Sequence, residues 1–202
     1  MTYVTLEELK AQAQIDDSLD DGVLQVALEA AVKAVDDWCN RSFETVDTSD
    51  TNAKTSRLYT ARTPYRLIVD DLAKLDTVEE KLHRRSNFET VDADQYDLEP
   101  ANAETDGDVI TEVWRETQRS WPKGRQHVRV TGWFGWPAVP DVVKQATLLQ
   151  ASRFAQRRNA QFGVAPIVGM DGTSGMRLLA KLDADVELLL NGVRRDPTRQ
   201  PA

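Results

Sequence analysis

The sequence has few of the side chains on which metal and redox chemistry depends. It contains one cysteine, Cys39, and two histidines, His83 and His127, among 202 residues. A single cysteine excludes a disulfide within the chain, and too few soft ligands remain for a zinc site. Cys39 falls beside Trp38 on the apolar face of a predicted helix, so we interpret it as a small buried side chain. The sequence therefore predicts no metal and no cofactor.

Long apolar runs are also missing. No stretch approaches the roughly 20 apolar residues that a membrane span requires, and the first residues lack the basic and apolar regions of a signal peptide. Hydrophobic residues make up 41% and charged residues 29% of the chain, which is typical of a protein that folds around its own core. The sequence predicts synthesis and assembly in a cytoplasm, with no membrane partner.

Catalytic motifs are a further absence. The chain contains no phosphate-binding glycine loop and no nucleophile elbow. His83 lies in a charged run and His127 opens a predicted strand, so each is interpreted as an ordinary surface or edge histidine. Carboxylate pairs such as Asp183 and Glu187 are expected by chance in a chain with 33 acidic residues, and they predict no acid–base chemistry without a positioned partner. The protein is therefore predicted not to be an enzyme.

Helical patterns mark both ends of the chain. Thr5 and Glu8 form a capping box, which predicts a short first helix. A second helix is predicted from apolar residues that recur three and four positions apart: Leu24, Leu28, Ala31, Val35 and Trp38. Pro140 fits the start of a third helix that reaches about Asn159, and Asp183 fits the start of a last one.

The sequence pattern changes in the middle of the chain. Short strand-like segments separated by polar turns replace the helical pattern, and residues 127–131 alternate polar and apolar side chains. The predicted fold class is α+β, a helical bundle core of about four helices with a small antiparallel β insertion between helices 2 and 3. The predicted parts are an N-terminal helical pair (1–44), the inserted β region (45–136), core helix 3 (137–161), and a glycine-rich loop with the C-terminal helix and a polar tail (162–202).

Charge is distributed unevenly along the chain. The net charge is −8, but the first 110 residues sum to −14 and the remaining 92 to +6. One interpretation is a subunit whose acidic side meets the basic side of another copy. The other interpretation is that both sides are merely solvated.

The basic residues allow two interpretations. They cluster before and on the third helix: Arg115, Arg119, Lys123, Arg125, Arg129, Arg153, Arg157 and Arg158. Such a segment could contact DNA phosphates, which would make the protein a small helical DNA-binding or regulatory module using helix 141–159. Because the overall charge is negative, a solvated face or a subunit interface is the better interpretation.

Three segments resemble a known family. Asp20–Phe43 combines an acidic turn with a helix that ends in Trp38-Cys39-Asn40-Arg41-Ser42-Phe43. Tyr96–Pro100 lies in the predicted sheet. Val128–Phe154 is a strand, an aromatic-glycine turn, a Val-Pro pair and a helix with an arginine after its third turn. In order and spacing, these segments resemble the head–tail connector (adaptor, or head-completion) proteins of long-tailed double-stranded DNA phages.

The resemblance implies a structural role in the neck of a virion. It implies many copies in a ring, expected to be dodecameric, seated on the portal protein below the capsid. The ring would let genome DNA pass during packaging and ejection without tight sequence-specific binding. Its lower face would receive the next head-completion or tail protein.

Ten residues are predicted to form the subunit or portal interface. The third helix is apolar on two sides, so we expect it to pack on its own bundle and also on a neighbouring subunit or the sheet. Basic and aromatic residues nearby complete the set. The ten residues are Arg153, Arg157, Arg158, Leu148, Ala151, Ala155, Trp133, Trp136, Arg194 and Arg195.

Overall fold

The computed structural model describes residues 3–116, 119–157, 164–166, 175–177, 182–199 and 201. Its helices are α1 (Leu6–Ala13), α2 (Asp21–Cys39), α3 (Ala103–Asp106), α4 (Asp141–Arg157) and α5 (Ala184–Leu190). Its strands are β1 (Thr55–Tyr59), β2 (Arg66–Glu80), β3 (Glu89–Thr90), β4 (Tyr96–Glu99), β5 (Ile110–Arg115), β6 (Val128–Phe134), β7 (Val164–Pro166) and β8 (Gly175–Arg177). The chain divides into a helical unit, Met1–Ser42 with Pro140–Arg194, and a sheet unit, Phe43–Val139 with Arg195–Ala202.

The helical unit is built on the packing of α2 against α4, with α1 and α5 also in contact with α4. Four members of the apolar stripe predicted for α2 are buried, namely Leu24, Leu28, Ala31 and Val35, whereas the fifth, Trp38, is half-buried. One buried cluster joins the helices and contains Val4, Leu9, Leu24, Leu28, Ala31 and Ala151. The strands β7 and β8 form a separate antiparallel pair in this unit, within a segment predicted to be a loop.

The start of α1 confirms the predicted capping box. The Thr5 hydroxyl accepts a hydrogen bond from the Glu8 amide at 3.2 Å, and the Thr5 amide donates to Glu8 Oε2 at 2.6 Å. Both bonds satisfy groups that have no partner inside the helix. The hydrogen bonds from Thr5 hold the pKa of the Glu8 carboxyl below its ordinary value.

We expect Glu8→Ala to lower the free energy of unfolding by about 0.5–1 kcal/mol. Glu7→Ala, in the same helical turn, is the control, because it removes no cap. Because the folded-state pKa of Glu8 is lowered, its stabilisation is complete above its ordinary value of 4.5 and disappears as the pH falls through the folded value. Urea denaturation of both variants at neutral and acidic pH measures this difference. A difference in the free energy of unfolding between the two variants that persists at acidic pH would contradict the role of the Glu8 carboxylate.

The sheet unit contains six antiparallel strands in the order β1-β6-β2-β5-β4, with β3 paired to β2. The central strand β2 is 15 residues long. Its first half pairs with β5 and its second half with β6, and Leu72 pairs with both. β2 therefore connects the two halves of the sheet. Side chains from both halves share one core, which contains Tyr59, Leu67, Val69, Leu72, Val78, Val91, Ala103, Ile110, Val113, Trp121, Val128 and Val130.

Two glycines permit close backbone approaches in this sheet. A Cβ at Gly132 would lie 2.4 Å from the Lys74 carbonyl oxygen, where β2 and β6 shift register. Gly135 has φ +138°, and a Cβ there would lie 2.8 Å from the Glu44 carbonyl oxygen. Only glycine fits both positions without displacement of the neighbouring backbone.

The predicted fold class is wrong. The structure is a mixed α/β protein with a six-stranded antiparallel sheet and about five helices among the described residues, not a helical bundle core with a small β insertion. The single long strand β2 replaces part of what the sequence pattern indicated as short strand-like segments separated by polar turns. Register shifts along β2 interrupt the alternation of its side chains, because each bulge moves the following residues to the other face. The sheet is consequently larger than the sequence pattern indicates.

Candidate interaction surfaces

The structure offers surfaces for contact and no arranged group for a metal. No cluster of three or more histidine, cysteine, aspartate or glutamate side chains is positioned around a common point in the described part of the chain. Among those same residues, no helix has both the length and the apolar character needed to cross a bilayer. Cys39 is fully buried, and burial raises the pKa of its thiol to about 12, so the thiol is unreactive.

The ten predicted interface residues fall into both units. Leu148, Ala151 and Ala155 on α4 contribute to the buried cluster of the helical unit. Arg153 pairs with Asp183, the residue that caps α5. Arg158 and the side chain of Arg157 lie outside the described residues. Contact with a second copy or a portal remains a prediction for all ten.

Two of the predicted residues, Trp133 and Trp136, are buried inside the sheet unit. The Trp133 indole N–H donates to the Asp50 carbonyl at 2.8 Å, and the ammonium groups of Lys54 and Lys74 each lie 5.6 Å from its ring. Trp136 packs against Phe43 with ring centroids 5.2 Å apart. These contacts give both indoles a role in the fold.

The last two predicted residues are adjacent in sequence but differ in environment. Arg194 is exposed and lies over the Trp38 ring at 4.6 Å, within the helical unit. Arg195 is buried in the sheet unit, where its Nη2 donates to the Val69 carbonyl at 2.9 Å and to Asp71 Oδ1 at 3.0 Å. The expected polar tail is therefore anchored at Arg195.

A cleft opens in the helical unit, and six of the nine described residues that line it are apolar. It has a volume of about 330 Å³ and is lined by Leu9, Ala13, Ile15, Asp20, Val23, Leu24, Ser152, Ala155 and Gln156. Asp16 and Asp17, both exposed, directly follow Ile15 of the lining. Asp20 of the lining belongs to the same acidic turn as Asp16 and Asp17, and these three residues are called the acidic rim. The sequence signal for this rim is the acidic turn before α2, for which helix capping is a sufficient explanation at the level of sequence.

The sheet unit carries a basic hairpin tip, residues 81–88, between β2 and β3. Leu82 is 64% exposed there, and His83, Arg84 and Arg85 are exposed beside it. The Ser86 hydroxyl accepts from the His83 amide at 3.0 Å and donates to the His83 carbonyl at 2.8 Å. These bonds order the turn. In the sequence, this tip is visible only as the charged run around His83.

Several charged side chains in both units are paired with a residue of opposite charge. Arg129 forms a two-point contact with Glu79, and it lies over the Phe88 ring at 4.4 Å. The hydrogen bond from Arg129 lowers the pKa of Glu79. On α4, Lys144 pairs with Asp141. The basic residues that suggested DNA contact at Arg129 and Arg153 are therefore neutralised by neighbouring carboxylates.

Comparison with known proteins gives one family and one fold. Residues 3–74 match the model of the phage gp6-like head–tail connector proteins. No curated protein matches the chain.

Solved chains of similar fold come from gene transfer agent (GTA) particles. A chain in the neck of an empty particle, with C6 symmetry, has a TM-score of 0.54 and 16% identity, and the match covers 96% of this chain and 90% of that one. A chain in the neck of the native particle, with C12 symmetry, has a TM-score of 0.51 and 15% identity, at 96% and 90% coverage. A chain in the native virion has a TM-score of 0.50 and 18% identity, at 98% and 94% coverage.

The solved chains carry information on the fold alone, because their identity to this chain is low. The relationship to known proteins rests on the family model, and the proteins of that family are structural connectors rather than a class of enzymes. The resemblance predicted from the sequence is therefore confirmed: residues 3–74 carry the pattern of the phage gp6-like head–tail connector family, and nearly the whole chain shares its fold with chains of GTA particles.

Proposed function

We propose that this protein is a structural connector subunit in the neck of a virion, where identical copies form a ring between the portal and the next neck or tail protein. The match of residues 3–74 to the head–tail connector family carries this proposal. The similar fold of GTA neck chains supports the location.

A closed ring of one protein is the expected form of the assembly. The GTA necks that contain chains of this fold are described with C6 and C12 symmetry, which supports a ring with a copy number of twelve. Such a ring uses heterologous contacts, in which one patch of each copy meets a different patch of the next. The charge of this chain is uneven along the sequence, −14 in residues 1–110 and +6 in residues 111–202, and both stretches contribute residues to each unit.

The partners follow from the position of such a ring. The portal protein lies on one side, the next head-completion or tail protein lies on the other, and genome DNA passes through the opening. A chain with a net charge of −8 and with Arg129 and Arg153 paired to carboxylates is suited to letting DNA slide, because strong phosphate contacts would hold it.

We expect the purified protein, alone or mixed with its portal, to form rings in negative-stain electron microscopy. Mass photometry of the same samples gives the copy number. The portal belongs in the experiment because some ring proteins assemble only on their partner. A protein that stays monomeric with and without the portal, and is absent from purified virions, would contradict the proposed function.

A further inference from the structure

We propose that the basic hairpin tip of one copy, residues 81–88, docks into the cleft of the helical unit of the next copy in the ring. This inference rests on the proposed ring and names the two surfaces that meet in it. Leu82 enters the cleft, and Arg84 and Arg85 face the acidic rim.

The hairpin tip has the properties of a docking element. Leu82 is 64% exposed, although an apolar side chain of this size gains from removal from water. Its base is anchored, since the Lys81 amide donates to the His127 carbonyl at 2.9 Å and the Lys81 ammonium lies 4.7 Å from the Phe88 ring. Neither Arg84 nor Arg85 pairs with a carboxylate within the described part of the chain. The tip therefore presents one apolar and two cationic side chains on an ordered turn.

The cleft has the complementary properties. Its volume of about 330 Å³ can hold a leucine side chain, and its floor includes Leu9, Val23 and Ala155. Ser152 also lines the cleft, and no hydrogen-bond partner for its buried hydroxyl is found among the residues that the structure describes. An entering backbone group would satisfy this hydroxyl. Asp20 of the lining, with Asp16 and Asp17 in the same turn, provides negative charge for the two arginines of the tip.

A second copy of the chain is the occupant favoured by these observations. The tip and the cleft are different patches with opposite charge, which is the arrangement that a ring of identical copies needs. Duplex DNA would also attract Arg84 and Arg85. The phosphate backbone, however, offers no apolar site for the exposed Leu82 beside them. Binding of the tip to DNA is therefore the competing outcome of the test.

A cysteine cross-link tests the contact directly. Copies of full-length L82C are mixed with copies of full-length A13C that carry a removable tag, assembled with the portal if needed, and oxidised. Ala13 is exposed and lines the cleft, and the native Cys39 is buried and does not interfere. We expect a disulfide between a tagged and an untagged chain. L188C is the matched control, because Leu188 is also an exposed leucine, at 77%, outside the tip, and no cross-link to A13C is expected.

Charge reversal provides the second readout. We expect R84E/R85E and D16R/D17R each to weaken assembly about tenfold or more, and the combination of all four changes to restore it, because the opposite charges again face each other. All four positions are exposed, so the fold should tolerate the changes. Circular dichroism of each variant checks this.

The outcomes distinguish a failure of the proposed docking from a failure of the proposed ring. Rings that form without a cross-link between L82C and A13C overturn the docking and leave the proposed function standing. No ring under any condition overturns the proposed function and the docking together. If R84E/R85E weakens binding to a duplex DNA probe and leaves assembly unchanged, the tip contacts DNA and the docking is overturned.

Discussion

Replacement of Arg195 by alanine is expected to lower the free energy of unfolding by about 3–5 kcal/mol. The Arg195 guanidinium and the Asp71 carboxylate are 9% and 10% exposed, so the variant removes the Arg195 cation from a buried carboxylate. It also removes a donor from the Val69 carbonyl in the centre of the sheet. The loss of one member of a buried pair costs more than the pair contributes, because the remaining charge stays desolvated.

Urea denaturation measures the effect, and Arg194→Ala is the matched control. Arg194 is the preceding residue, is exposed, and contacts only the face of the Trp38 ring among the interactions described. An exposed contact of this kind is worth about 0.5–1 kcal/mol. Asp71→Ala combined with Arg195→Ala should cost less than the sum of the single changes. Equally small decreases in the free energy of unfolding for Arg194→Ala and Arg195→Ala would show that the C-terminal segment is not anchored through Arg195.

The second large effect is expected for Leu72→Ala, which should lower the free energy of unfolding by about 2–5 kcal/mol. Leu72 is fully buried, and it is the residue of β2 that pairs with both β5 and β6. The truncation leaves a cavity where the two halves of the sheet meet, and the surrounding backbone is held by register shifts on either side. Partial relaxation of such a site leaves most of the cavity in place.

Leu58→Ala is the matched control for Leu72→Ala. Leu58 lies on the edge strand β1 and is 45% exposed, so its truncation should change stability by about 0.5 kcal/mol or less. Thermal or urea unfolding, followed by tryptophan fluorescence, compares the two variants. A decrease in the free energy of unfolding for Leu72→Ala as small as that for Leu58→Ala would contradict the role of Leu72 in the core of the sheet unit.

Patterns confined to a few neighbouring residues were predictable. The capping box at Thr5, the apolar stripe of α2, and the start of α5 after Asp183 are all found in the structure. The alternating residues at 128–131 form part of β6. Each of these features depends on hydrogen bonds or periodicity within one element, and such interactions can be inferred from sequence alone.

Features that depend on distant residues were not predictable. The extent of the sheet was underestimated because the bulges of β2 are fixed by pairing with β5 and β6, which lie far along the chain. The buried position of Arg195 depends on Asp71, which is 124 residues away in sequence. The acidic turn beside the cleft and the basic tip were visible in the sequence as groups of charged residues. The apolar residues that line the cleft and the exposure of Leu82 were not visible, because both depend on the folded structure.

The sequence by itself determined the class of protein. Three of its segments resemble head–tail connector proteins, and residues 3–74 match the model of that family, so the amino-acid pattern indicates a role in assembly. Only the tertiary structure decided that a six-stranded sheet has its own core, that Arg195 anchors the C-terminal segment, and that a cleft and a hairpin tip remain available for contact. The physical reason is that burial and pairing belong to groups brought together by folding, whereas composition and periodicity belong to the chain itself.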